Sequence, residues 1–249
     1  MIEIAIPSAN RPDRVSAANA VPRHRVSVVV PDSQADAYEK ANPDLRIVAH
    51  PDSVPTLSAK RQWIYEKFGS VIMIDDDVNQ FVNLEVLPTE PLRKLTPEEG
   101  GELCDRLADE SDDMGVKLFG INESADPRFF HGHHPYRLTG WVNGPFMGMH
   151  SPSKLVFHPG LKSGSDYWVS ALNAHYYRKV LVDRRYVHTF KSNAGIAKNV
   201  GGMAMHRSQE SEAETSRILK EWFGDVIGGK SGSGPVLFGS HRSLQVPWK

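Results

Sequence analysis

The chain contains a single cysteine, Cys104, in 249 residues. One thiol excludes an intrachain disulfide and a multi-cysteine zinc site, and it fits a reducing compartment. Cys104 lies in "GELCDRLADE", a helix-like context where a small buried filler is expected. No apolar run approaches the roughly 20 residues that cross a bilayer. The start, "MIEIAIPSANRP", shows no basic leader followed by an apolar core. The expectation is a soluble, cytoplasmic protein with no membrane partner. An excess of one charge is also missing: 29 Lys plus Arg stand against 30 Asp plus Glu. Contact with nucleic acid would therefore need a local basic patch.

What is present is a core-forming composition, 40% hydrophobic, laid out as short apolar runs between helix-like segments. Ile2 to Ile6, His24 to Val30, Leu45 to His50 and "SVIMI" read as strands; each of the first three is followed by a proline. "QADAYEKANP" and "TLSAKRQWIYEKF" read as helices between them. Continuous Val- and Ile-rich runs separated by helices predict an α/β fold, a mostly parallel sheet covered on both faces.

Further on, "LTPEEGGELCDRLADE" predicts a helix with Thr96 as N-cap, Pro97 at its first position and Glu99 closing a capping box. Gly115 to Ile121 reads as a strand, and "RLTGWVNGPFMGMH" as two short strands around a turn at Asn143-Gly144. "SDYWVSALNAHYYRK" reads as a helix capped by Ser165, and "VLVDRRYVHTF" as a last strand. "SQESEAETSRILKEWF" reads as a helix capped by Ser208 or Ser211. The organisation expected is one domain over residues 1–249. Within it, residues 191–249 differ in composition from what precedes and are expected to fold back over the rest.

The fourth strand runs directly into Asp75, Asp76 and Asp77. Adjacent carboxylates repel one another and are costly to desolvate without a positive partner. Ligands of open parallel sheets bind beyond the carboxyl ends of the strands, and these acids sit at such an end. In an extended segment Asp75 and Asp77 share a side while Asp76 faces away. Hard oxygen donors there suit Mg²⁺ or Mn²⁺ held jointly with substrate phosphates. The plainer alternative is a solvated loop whose acids cap the next segment.

"IPSANRP", "LSAKRQW" and "VIMIDDDV" resemble the nucleotide-binding half of a GT-A-fold glycosyltransferase, and the aspartates match its DxD motif. The resemblance spans most of residues 1–190, and it implies a nucleotide-binding half over residues 1–90, an acceptor half over 91–190, and a lid and tail over 191–249. It implies a GT-A-like, Rossmann-type sheet and a nucleotide-sugar donor held by Pro7, Ser8, Arg11, Lys60 and Arg61. One of Lys60 and Arg61, as neighbours on a helix, is expected to face solvent. Asp77 would bind the metal directly, and Asp75 and Asp76 the ribose or a metal-bound water. His188, ending the last strand, would be a further metal ligand; a lone His is otherwise a structural residue.

Inverting members of the class place a catalytic acid at the start of a helix in this region. That points to Asp166 as the base, although the common pair is Glu-Asp and here it is Ser165-Asp166. A capping role for Asp166 stays open. Trp141 is a candidate for stacking on sugar or acceptor, while Phe146 and Met147 read as core. His131, His133 and His134 lack a partner at metal-binding spacing and read as a surface loop. Gly201 and Gly202 could approach a diphosphate, with Arg207 or Lys191 as a clamp, or form a linker.

The layout is also similar to the TET-associated and phage-type glycosyltransferases, which add sugars to hydroxymethylated pyrimidines in DNA. Arg178, Lys179, Arg184, Arg185 and Lys191 supply basic charge expected near the acceptor end, or merely balance nearby acids. Two other functions stay open. A nucleotidyltransferase would release pyrophosphate, but "IPSANRP" lacks the glycine its first loop usually carries. A nucleotide- or DNA-binding module would bind without turnover.

Overall fold

The computed structural model describes residues 1–86, 90–126, 130, 132–190, 208–229 and 242–244. The elements in chain order are β1 (Glu3–Pro7), β2 (Val26–Pro31), α1 (Ala35–Ala41), β3 (Arg46–His50), α2 (Leu57–Phe68), β4 (Val71–Ile74), β5 (Val78–Asn83) and β6 (Arg93–Lys94). They continue with α3 (Pro97–Asp113), β7 (Leu118–Asn122), β8 (Tyr136–Arg137), β9 (Phe146–Met149), α4 (Ser165–Tyr176), β10 (Leu181–Phe190), α5 (Gln209–Phe223), β11 (Ile227–Gly229) and β12 (Arg242–Leu244).

The main sheet runs β3-β2-β1-β4-β9-β7-β10-β5-β6, with β8 also on β10. The first four strands are mutually parallel, β9 enters antiparallel between β4 and β7, and β10 runs parallel to β7. This is the mixed, mostly parallel α/β sheet that the apolar runs predict.

The runs are continuously apolar because both faces are covered. Ile4 and Ile6 of β1, with Ile72 and Ile74 of β4, pack on one face with Tyr38 of α1 and Leu103, Cys104 and Leu107 of α3. Ala5, Val71 and Met73 face the other way, onto Ile64 and Tyr65 of α2 and Val169 of α4. Cys104 is a buried filler, its thiol pushed up to about 12 by burial. Phe146 and Met147 are core residues. The capping box of Thr96 and Glu99 opens α3, and Ser208 caps α5 with Ser211.

Three expectations fail locally. "RLTGWVNGPFMGMH" forms no hairpin: β8 pairs with β10, and β9 is drawn between β4 and β7, where Phe146 and Met147 are buried on opposite faces. The N-cap of α4 is Gly164, whose φ of 67° puts it in the left-handed region; Ser165 is the first helical residue. The aspartates are not extended. Val78 N–H donates to the Asp75 carbonyl at 3.1 Å, closing a turn that leads straight into β5.

Gly100 of α3 lies against the backbone of Ala20: a Cβ there would stand 2.0 Å from the Ala20 carbonyl oxygen. Alanine is the better helix former by about 1 kcal/mol. The overlap is with backbone, however, and forced repacking costs about 1–3 kcal/mol. Gly100→Ala is expected to lower the unfolding free energy in a urea titration; a more stable variant contradicts this packing.

Candidate active site

The carboxyl ends of β1, β2, β3 and β4 open onto a cavity of about 570 Å³, within the usual range for small-molecule sites. Seven sequence-predicted residues line it: Pro7, Ser8, Arg11, Lys60, Asp75, Asp76 and Asp77. Asn10, Ser33, Gln34, Asp52 and Thr56 line it too and were not predicted. They follow β1, β2 and β3, so the rule that ligands sit beyond strand ends points to them.

Asp76 does not face away; it is buried. Its carboxylate accepts from Ser8 Oγ, and Arg11 Nε lies 3.0 Å from it. Ser8 Oγ is in turn 2.8 Å from the hydroxyl of Tyr38, itself fully buried. Burial pushes Asp76 up to about 7, against the opposing pull of Arg11 and the Ser8 hydroxyl.

Neither Lys60 nor Arg61 faces solvent. Both sit in the early part of α2, whose N-terminal end lies at the rim of the cavity, and both are buried. Lys60 Nζ donates to the Ser8 carbonyl at 2.5 Å. Burial brings Lys60 down to about 8, with Asp76 opposing the shift. Arg61 points away from the cavity lining. Its Nη2 donates to Asp75 Oδ1 at 2.7 Å and to the Gly144 carbonyl at 2.9 Å, and its Nη1 to Ser165 Oγ at 2.9 Å.

Asp166 is the second residue of α4 and does not serve as its N-cap. Its Oδ1 accepts from the Tyr167 amide at 3.0 Å. Burial raises its pKa, and the Arg61 charge works in the opposite sense. Tyr167 stacks on Trp141, ring centres 5.1 Å apart and planes 20° apart. The Trp141 Nε1 is buried without a hydrogen-bond partner. Trp141 thus packs on the residue that follows Asp166, and Arg61 links the start of α4 to Asp75 on the cavity wall.

His188 is buried and its Nδ1 has no hydrogen-bond partner; burial holds its pKa down at about 4. It lies opposite Phe81, while Phe190 lies opposite Val78, the residue after Asp77. Neutral imidazole and carboxylate are donors that Mn²⁺ accepts. Among the described residues, no group of three or more His, Cys, Asp or Glu is arranged to enclose a metal. Asp77 lies on the cavity wall, and His188 is not among the residues that line it.

The basic residues divide. Arg185 is committed to the buried Asp183 at 2.8 Å and to the Tyr136 hydroxyl at 2.6 Å, and Arg106 also holds Asp183. The backbone N–H of Arg184 donates to the Pro135 carbonyl at 2.7 Å. Arg178 and Lys179 follow the last turn of α4. They lie a helix length, roughly 18 Å at 1.5 Å per residue, from Asp166. His131, Lys191, Gly201, Gly202 and Arg207 lie outside the described residues.

The α/β sheet thus carries an acidic, arginine-braced cavity at its strand ends. The model of the TET-associated glycosyltransferase family matches residues 2–195, and the chain belongs to that family. No curated protein matches the sequence. Similar solved structures include two of S. aureus TarS, both at 13% identity. One, of residues 1–349, has a TM-score of 0.45 over 74% of this chain and 58% of that one. The other has a TM-score of 0.46 over 88% and 43%. The chain thus spans about half the length of these TarS chains. A mycobacterial protein is similar at 12% identity, with a TM-score of 0.47 over 98% of this chain and 84% of that one. No helix among the described residues is long and apolar enough to cross a membrane.

Removing one partner of a buried charge pair costs about 3–5 kcal/mol, and a solvated site costs little. Asp76→Ala is expected to lower stability by about 2–4 kcal/mol in urea, less than the full figure because Arg11 borders the cavity. Asp77→Ala, at a partly exposed position, should cost under about 1 kcal/mol. Equal losses would contradict the distinct settings of the two carboxylates.

Proposed function

We propose that this chain transfers a sugar from a metal-held nucleotide sugar to an acceptor hydroxyl. The observation that carries the reading is the convergence of Ser8, Arg11, Lys60 and the Asp75–Asp77 turn on one cavity, in a member of a glycosyltransferase family. Asp77 would hold Mn²⁺ or Mg²⁺ together with the donor's diphosphate, and His188 would be a further ligand. The cation, when bound, neutralises charge on the departing diphosphate. Lys60 and Arg11 add fixed positive charge at the cavity wall. Asp75 and Asp76 would meet the ribose or a metal-bound water.

Asp166 acts as general base. Its carboxylate takes the proton of the acceptor hydroxyl as that oxygen attacks the anomeric carbon. The bond from that carbon to the diphosphate oxygen breaks, and the nucleoside diphosphate leaves. Attack from the face opposite the leaving group inverts the anomeric centre. Burial raises the Asp166 pKa, the direction that strengthens a base, and the Arg61 charge opposes that shift.

The acceptor we propose is a hydroxymethylated pyrimidine in DNA. The Trp141–Tyr167 stack beside Asp166 offers a flat aromatic face for a base taken out of the helix. Arg184 would approach the DNA backbone. Arg185, bound to Asp183, would act by ordering that strand.

A thermal-shift screen of UDP-, GDP-, ADP- and CMP-sugars with and without Mn²⁺ tests the donor half. Ligand at 100 times its Kd stabilises the fold by about 2.7 kcal/mol. A shift that requires both nucleotide sugar and metal, and that Asp77→Ala abolishes, is expected. Equal shifts with and without metal contradict the metal. Asp166→Asn should keep the donor shift and lose about 10²–10⁴-fold in turnover; full turnover removes Asp166 as base.

A further inference from the structure

We propose that Arg61 is a positioning residue that ties the acidic turn to the helix carrying Asp166, and not a ligand of the donor. The proposal rests on the glycosyl-transfer reading for its kinetic consequence but stands on geometry of its own.

Arg61 is 2% exposed and is absent from the cavity wall, unlike its neighbour Lys60. Its two Nη atoms reach acceptors on three separate segments: Asp75 at the end of β4, Gly144 in the loop before β9, and Ser165 at the start of α4. These acceptors lie 14, 83 and 104 positions away in sequence. The β4–β9 pairing, extended by the Asp75 N–H donating to the Pro145 carbonyl at 3.1 Å, already joins the first two; the planar guanidinium ties the start of α4 to them. Its donors diverge in a fixed fork, so one side chain sets Ser165 and the start of α4 against that paired edge. Lysine, with one nitrogen on a flexible stem, cannot reproduce that.

Two details fit this role. A Cβ on Gly144 would stand 3.2 and 3.3 Å from the Nη atoms and 3.6 Å from the Asp166 Cβ, so guanidinium, loop and base are packed together. Asp75 also belongs to the cavity wall. The carboxylate a donor meets is therefore the one that anchors Arg61, and through Ser165 the base at the next position. Arg61 and Asp75 are the charged groups that act on Asp166.

The test uses the full chain with Arg61→Met, Arg61→Lys and Ser165→Ala. Hydrogen exchange at the amides of the first turn of α4 should quicken in all three relative to wild type. With the nucleotide sugar found by thermal shift, donor Kd should stay within about 3-fold, because Arg61 makes no wall of the cavity. Turnover should fall about 10²-fold in Arg61→Met, the scale of a displaced catalytic group, with no rescue by Lys. It should fall about 10-fold in Ser165→Ala, one lost hydrogen bond. The acid limb of kcat should move to higher pH in Arg61→Met, since the positive charge favouring the carboxylate is gone.

A donor Kd weakened more than 10-fold with kcat kept overturns the proposal and makes Arg61 a donor ligand. Unchanged exchange and unchanged kcat in Ser165→Ala overturn it as well, and that variant decides the matter if Arg61→Met does not fold. A wild-type chain that binds no nucleotide sugar contradicts the transfer reading instead; the exchange data still decide whether Arg61 positions α4.

Discussion

Three carboxylates in a row at the end of a buried strand must be compensated, and the means of compensation organise the rest of this molecule. Asp76 is turned inward to Ser8 and Arg11. Asp75 is held by Arg61. Asp77 stays partly exposed on the cavity wall. A tight turn rather than an extended strand makes this possible, because it sends adjacent side chains to different partners. Like charges that would repel in one plane are distributed among arginines from two other segments.

The same arginines fix the geometry around them. Arg11 joins the loop after β1 to the turn after β4. Arg61 carries the connection across the rim to α4. The donor cavity and the proposed base therefore share a frame built from charge and hydrogen bonding, on a sheet whose two faces are packed by α1 and α3 on one side and α2 and α4 on the other. Buried ion pairs are weak evidence for stability in themselves, and their better-attested use is to specify one arrangement. At this site the arrangement places Asp75 and Asp166 on either side of one guanidinium.

Much of this was legible in the residues. Val-Ile runs ended by prolines, and in the fourth case by the aspartates, fixed four parallel strands to within a residue or two, because a strand buried on both faces has no polar alternation to confuse its ends. The Thr96–Glu99 box and Ser208 located two helix starts, since caps are local chemistry. What was not legible depends on contacts distant in sequence. Asn143-Gly144 looks like a hairpin turn, yet β9 is claimed by β4 and β7. Adjacent basic residues on a helix ordinarily diverge, yet Lys60 and Arg61 both turn inward to carbonyl and carboxylate groups supplied from elsewhere. Tyr38, behind Ser8, carried no motif at all.

The most direct test is anomalous scattering from crystals grown with manganese and the nucleotide sugar. A peak within about 2.2 Å of an Asp77 oxygen, bridging to the diphosphate, is the expected result. A donor bound elsewhere, or manganese remote from the Asp75–Asp77 turn, would contradict the claim that these carboxylates exist to hold the donor.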